Sequence, residues 1–295
     1  MLTTRAMKLI TQMPKAENHI HIEGSIPWDL ALRLADKNKV KLPADTVEGI
    51  CAWVNESMKR DGLAGFMLCD RTINSVCLHE EDYMETVLAL AKNAHSQNII
   101  YQELHLDYPL NEERGIPIEV VMEGYREGQK RAWEQYGVEI VYIAGLDRTL
   151  PAEQCLSFVN KLEKYLDMVD GLGMDCEERG NPPGKHISSY KRAKEMGLFL
   201  TAHAGEETSP QSIWDAVNLL HVQRIDHGID SLKDEKVMAY LRDNKILCAC
   251  CPTSNILAHG VESYSKHPIT TMMKAGIPIS INSDDPPYMM DLVQE

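Results

Sequence analysis

A chain of 295 residues, 44% hydrophobic and 25% charged, has the size and make-up of a soluble globular protein and fits within one α/β barrel. Its net charge of −14 argues against nucleic acid as a partner, because a phosphate backbone calls for a basic face, and gives no support to binding an anionic membrane surface. The eight cysteines show no disulfide-framework spacing, so a reducing, cytoplasmic setting is expected.

Residues 1–8 lack an apolar stretch of signal-peptide length, and no run approaches the roughly 18 apolar residues of a membrane span. The stretch 14–25, Pro-Lys-Ala-Glu-Asn-His-Ile-His-Ile-Glu-Gly-Ser, reads as a short strand ended by Gly24 and Ser25. Side chains at i and i+2 of a strand share a side, so His19 and His21 project together, which is the beginning of a metal site. Helical spacing follows from Pro27 to Ala35, Leu63 to Cys77 and Glu80 to Asn93. This insertion, about 27–95, is far longer than the usual few-residue strand-to-helix connection and predicts a helical lid or pocket wall over a barrel mouth.

Regular alternation begins at residue 99. Strands are predicted at Ile99–Leu106, Val138–Gly145, Met168–Gly173, Leu198–His203, Arg224–His227, Ile246–Cys251 and Ile277–Asn282. Helices are predicted between them at Ile118–Tyr136, Pro151–Tyr165, Lys185–Met196, Ser212–His221, Asp234–Asn244 and Pro268–Lys274. With the first strand this makes eight strands joined by helices, the pattern of parallel strands with right-handed crossovers that close a (β/α)8 TIM barrel. One domain over 1–295 is expected, with the last outer helix absent because the chain stops soon after the eighth strand. Cys248, Cys250 and Cys251 crowd one apolar strand as small buried thiols.

The active site of such a barrel lies at the C-terminal ends of its strands. Those ends carry His19-x-His21, His203-Ala-Gly-Glu206, Asp226-His227-Gly228, Cys251-Pro-Thr-Ser-Asn255 and Ser283-Asp284-Asp285-Pro286. Three imidazoles and a carboxylate around one ion suit zinc with an open position. A water bound there is acidified to a pKa of roughly 7. Glu206, three residues past His203, is placed to give a proton to a substrate, and His227 to take one from the attacking water. A nucleic-acid deaminase site is excluded because no Pro-Cys-x-x-Cys follows His21-x-Glu23, and no local motif marks a Ser or Cys nucleophile.

Taken together, these motifs resemble the adenosine and adenine deaminases of the amidohydrolase superfamily, and the resemblance runs over nearly the whole chain. It implies zinc, one per chain, held by His19, His21, His203 and Asp284. It also implies Glu206 protonating purine N1, His227 orienting and deprotonating the water, and Asp285 bonding the N7 side. Two positions depart from the adenosine-type pattern. Cys176 stands where a glycine of an Ala-Gly-Asp-Glu motif contacts the purine ring, and Glu23 stands where an aspartate binds the sugar. The expected function is a zinc-dependent hydrolytic deaminase of a 6-aminopurine, with adenosine or deoxyadenosine as default substrate. Adenine or another modified aminated ring is the alternative, and a catalytically silent purine- or metal-binding relative is the alternative of another class. The partner is a small purine, with Glu23 and Cys176 as further substrate-binding candidates.

Overall fold

The computed structural model describes residues 4–257 and 260–290. Eight parallel strands form one sheet in sequential order: β1 (Lys15–His21), β2 (Ile99–Leu106), β3 (Glu139–Asp147), β4 (Val169–Asp175), β5 (Phe199–Ala204), β6 (Arg224–His227), β7 (Leu247–Cys250) and β8 (Ile279–Ile281). The two edges meet where Ile20 bridges Asp284: the His21 N–H donates to the Asp284 carbonyl at 3.0 Å, and the Asp284 N–H to the His19 carbonyl at 3.3 Å. The result is a nearly closed (β/α)8 barrel, as the alternation of elements predicts.

The differences from expectation lie at element ends and in helices that the sequence pattern does not show. β4 runs two residues further, through Asp175, because its glycines stay in register with β3: Gly145 pairs Gly173 and Asp147 pairs Asp175. The insertion holds four helices, Trp28–Asn38, Val47–Asp61, Leu63–Asn74 and Glu80–Ser96. The second was not expected, although Thr46 marks its start by accepting from the Gly49 N–H at 3.1 Å. Three short helices follow strand ends and also escape the sequence pattern: Tyr108–Glu113, Pro252–Leu257 and Pro286–Met290. At six residues or fewer they are too short to show a helical period. The last does not lie behind β8, since Tyr288 packs edge-on against Trp28 and Phe66 of the insertion at 4.8 and 5.1 Å. The expected absence of an eighth outer helix concerns residues beyond 290 and lies outside the described residues. All eight cysteines are free thiols, and Cys248, Cys250 and Cys251 are fully buried. Among the described residues no helix is long and apolar enough to cross a membrane.

The insertion is tied to the barrel through helices Glu80–Ser96 and Ile118–Tyr136. Their approach depends on glycine: a Cβ on Gly124 would lie 2.4 Å from the Glu80 carbonyl oxygen and 2.7 Å from Tyr83 Cβ. Helix propensity alone favours alanine there by about 1 kcal/mol. Overpacking against a backbone oxygen costs typically 1–3 kcal/mol and should win. Gly124→Ala is therefore expected to lower the melting temperature by a few degrees, read by thermal unfolding; a rise would mean that the two helices separate without cost.

Candidate active site

Four side chains converge at the C-terminal end of the barrel. His19 and His21 come from β1, His203 from β5, and Asp284 from the turn after β8, where its φ of +63° and its main-chain bonds to β1 turn the carboxylate inward. One donor atom from each lies within 4.8 Å of all the others. His19 Nε2 is 3.1 Å from Asp284 Oδ1, His21 Nε2 is 3.3 Å from His203 Nε2, and His21 Nε2 is 3.6 Å from Asp284 Oδ1. Tetrahedral zinc with bonds of about 2.0–2.1 Å separates its donors by roughly 3.3 Å, so these spacings fit such an ion. His19 Nε2, which faces the cluster, is buried without a hydrogen-bond partner, a costly state for protein alone and an ordinary one for a ligand to a cation.

A second layer orients these imidazoles. Asp226 Oδ1 lies 3.5 Å from His19 Nδ1, and Asp107 Oδ2 lies 3.2 Å from His21 Nδ1. Carboxylates in this position fix the tautomer and ring orientation of a ligating histidine. Asp226 is itself held by Arg224 Nε at 2.8 Å and Thr201 Oγ1 at 2.6 Å, and Arg224 also pairs with Glu103. Burial alone would raise the Asp226 carboxyl, but the Arg224 guanidinium overrides it and holds the group well below the usual range. None of this layer was assigned from sequence. Arg224-x-Asp226 repeats the i, i+2 logic of His19-x-His21 and offered a signal. His105-x-Asp107 at the end of β2 has the same spacing and offered the same signal; the His105 ring lies 5.0 Å from His19 and 4.9 Å from His21.

Glu206 stands beside the four-donor cluster without joining it. Its Oε2 is 3.3 Å from His227 Nε2, and its Oε1 accepts from Asn255 Nδ2 at 2.8 Å. Asn255 also lies 3.1 Å from His227 Nδ1 and is fixed by His267 Nε2 at 3.2 Å. Burial, followed by the nearby Asp284 charge, raises the Glu206 carboxyl well above its usual range. Burial pushes His227 down to about 4, leaving a neutral imidazole. Asn255 closes the Cys251–Asn255 stretch whose position at a strand end had marked it, but its role as a clamp on both groups appears only in three dimensions.

These groups face a cavity of about 120 Å³. Its floor carries His21, His203 and Asp284, and its roof carries Met58, Leu63, Phe66 and Met67 from the insertion. Glu23, Cys176, Glu206, His227 and Asp285 all line it. Eight carboxylates border the space and no lysine or arginine does. Asp285 fits because residue 24 is glycine, where a Cβ would stand 1.6 Å from Asp285 Oδ1. Glu23 accepts from Tyr125 OH at 2.9 Å through Oε1, while its buried Oε2 has no partner, and burial raises the group to about 8. Cys176 adopts φ +64°, the left-handed conformation that glycine takes most easily, so the backbone expected of the motif is kept by a strained cysteine. Every residue singled out from the sequence is thus placed around one cavity, with His19 directly beneath it.

Comparison with known proteins agrees with this geometry. The family model "Adenosine deaminase" matches residues 14–294. An adenine deaminase of Pseudomonas putida is 34% identical over 286 residues, covering 97% of this chain and 90% of that protein. The crystal structure of an adenine deaminase from Arthrobacter aurescens superposes with a TM-score of 0.89 at 32% identity, covering 94% of this chain and 83% of that one. An amidohydrolase from Burkhoderia ambifaria, solved with bound Zn, shares the fold with a TM-score of 0.86 at 23% identity, covering 98% and 79% of the two chains. The chain belongs to the adenosine deaminase family and is a hydrolytic deaminase.

Proposed function

We propose that the protein is a zinc-dependent deaminase that converts adenine to its 6-oxo product and ammonia. The observation that carries this reading is the pairing of the four-donor cluster with Glu206 and His227 at one end of a small, acidic pocket. His19, His21, His203 and Asp284 are the ligands, with Asp226 and Asp107 orienting two of them. Zinc, when bound, supplies the Lewis acidity that brings the pKa of water to roughly 7. His227 orients that water toward C6 and takes its proton. Glu206 gives a proton to N1 as the new C–O bond forms, so that no full negative charge develops on the ring. Asp285 bonds the N7 side. The C6–N bond then breaks, the amine leaves with a proton as ammonia, and the 6-oxo ring remains. The helices at 28–96 act as a lid whose apolar side chains cover the ring and keep bulk water out.

Adenosine, placed first from the sequence, now stands second. The matching relatives at 32–34% identity are adenine deaminases. A cavity of this order takes one small aromatic ligand, about 150 Å³ being enough for benzene. Glu23 stands folded into the wall against Tyr125 instead of reaching out to solvent. The lack of any lysine or arginine in the lining also argues against a 5′-phosphate.

Three outcomes follow. Ammonia release should be at least tenfold faster, as kcat/KM, with adenine than with adenosine; the reverse order would restore the nucleoside reading, and no release from any 6-aminopurine would favour a silent binder. Glu206→Gln should cut kcat by roughly 10²–10⁴-fold with zinc content unchanged, and near-normal turnover would remove Glu206 from the chemistry. Glu23→Ala should raise kcat/KM for adenosine relative to adenine by opening the wall; a fall in adenosine turnover alone would instead make Glu23 a sugar ligand.

A further inference from the structure

The turn that carries Glu206 is held by a residue that touches neither the cluster nor the cavity. Glu178, three residues past β4, is 4% exposed. Its carboxylate accepts from three successive backbone N–H groups: Gly205 at 2.9 Å, Glu206 at 3.1 Å and Glu207 at 2.9 Å. It also accepts from Thr208 Oγ1 at 3.2 Å and Ser212 Oγ at 2.6 Å. The arrangement is reciprocal, because the Glu178 N–H donates to Glu207 Oε2 at 3.1 Å. Successive N–H groups converge in this way around a left-handed residue, and Gly205 supplies one with φ +67°. Such backbone nests bind anions, and here the anion is part of the protein.

Arg148, fully buried after β3, completes the clamp. Its Nη1 lies 3.8 Å from Glu178 Oε1 and donates to the His203 carbonyl at 2.9 Å, while its Nε donates to the Asn181 carbonyl at 2.9 Å. One buried ion pair thus grips both ends of the segment 203–207, which holds a proposed zinc ligand and the proposed proton donor. We infer that Glu178, backed by Arg148, is a positioning residue for the reaction: it fixes the main chain of Glu206 so that the carboxyl meets N1, without contacting substrate. This rests on the reading of Glu206 as the proton donor.

Glu178→Gln turns one acceptor oxygen into an amide that faces backbone donors. The expected result is a 10- to 100-fold fall in kcat, the scale of an ångström-sized misplacement, with KM and zinc content at wild-type values. Hydrogen exchange should quicken in the peptide spanning 205–208. In a Glu206→Gln background the same change should cost nothing further, because a residue that acts only through Glu206 has nothing left to position. Should the amide variant not fold, Glu178→Asp, which keeps the charge but retracts it, enters the same cycle. An unchanged kcat, or a loss as large in the Glu206→Gln background as in wild type, overturns the inference. If Glu206→Gln itself keeps full turnover, the assignment of the acid fails instead, and the exchange measurement still reads the clamp.

Discussion

The candidate site depends on the buried ion pair of Arg224 and Asp226 inside the barrel. Both side chains are almost fully buried, and two further groups tie them down: Glu103 on the arginine and Thr201 on the aspartate. Breaking such a pair from one side leaves an uncompensated charge and costs about 3–5 kcal/mol. Its placement here is more than structural, because Asp226 Oδ1, the oxygen that accepts from Arg224 Nε, also lies 3.5 Å from His19 Nδ1. A carboxylate there turns the opposite nitrogen of the ring toward Asp284, which is where the four-donor cluster forms. Asp107 does the same for His21. The two imidazoles of β1 are therefore aimed from below by fixed charges, and the strand edge at Ile20 and Asp284 closes the ring of donors from the side.

Above this base the chemistry is set by crowding of like groups. The carboxylates that border the cavity have no arginine or lysine among them to balance their charge. Burial drives several of these carboxyls upward, Asp70 to about 7 and Glu23 to about 8. Such a space suits a cation together with a neutral, hydrogen-bonding ring, and disfavours an anionic substrate. The apolar roof from the insertion finishes the enclosure, with Tyr288 stacked edge-on between Trp28 and Phe66 joining the roof to the turn after β8. Asp284, Asp285 and the roof thus belong to one packed unit.

Much of this was legible because strand geometry converts spacing into direction. His19-x-His21 at the end of a short strand already says that two imidazoles point together, and eight strand–helix units say where the strand ends meet. What stayed hidden depends on contacts between distant segments. Glu178 sat in the stretch examined for Cys176, yet its partners lie 27–34 residues further on, and no local pattern announces five donors converging on one carboxylate. Asp107 closes the His105-Leu106-Asp107 run at the end of β2, and it stayed hidden because the imidazole it meets, His21, lies on another strand. Helix Val47–Asp61 was missed because only three of its residues are buried, which leaves too thin an apolar stripe for periodicity to reveal. Cys176, which the resemblance puts at a glycine position, adopts a φ of +64°, the left-handed region that glycine takes most easily.

The central claim is that the ends of β1, β5 and β8 hold one zinc ion with three nitrogens and one carboxylate oxygen from the chain. X-ray absorption at the zinc edge, on protein reconstituted with the metal and measured for stoichiometry, addresses this most directly. The account predicts one zinc per chain, three imidazole nitrogens at about 2.0–2.1 Å and one or two oxygens at about 2.0–2.2 Å. A sulfur shell near 2.3 Å, which would point to the buried cysteines, or protein that takes up no stoichiometric zinc, would contradict it.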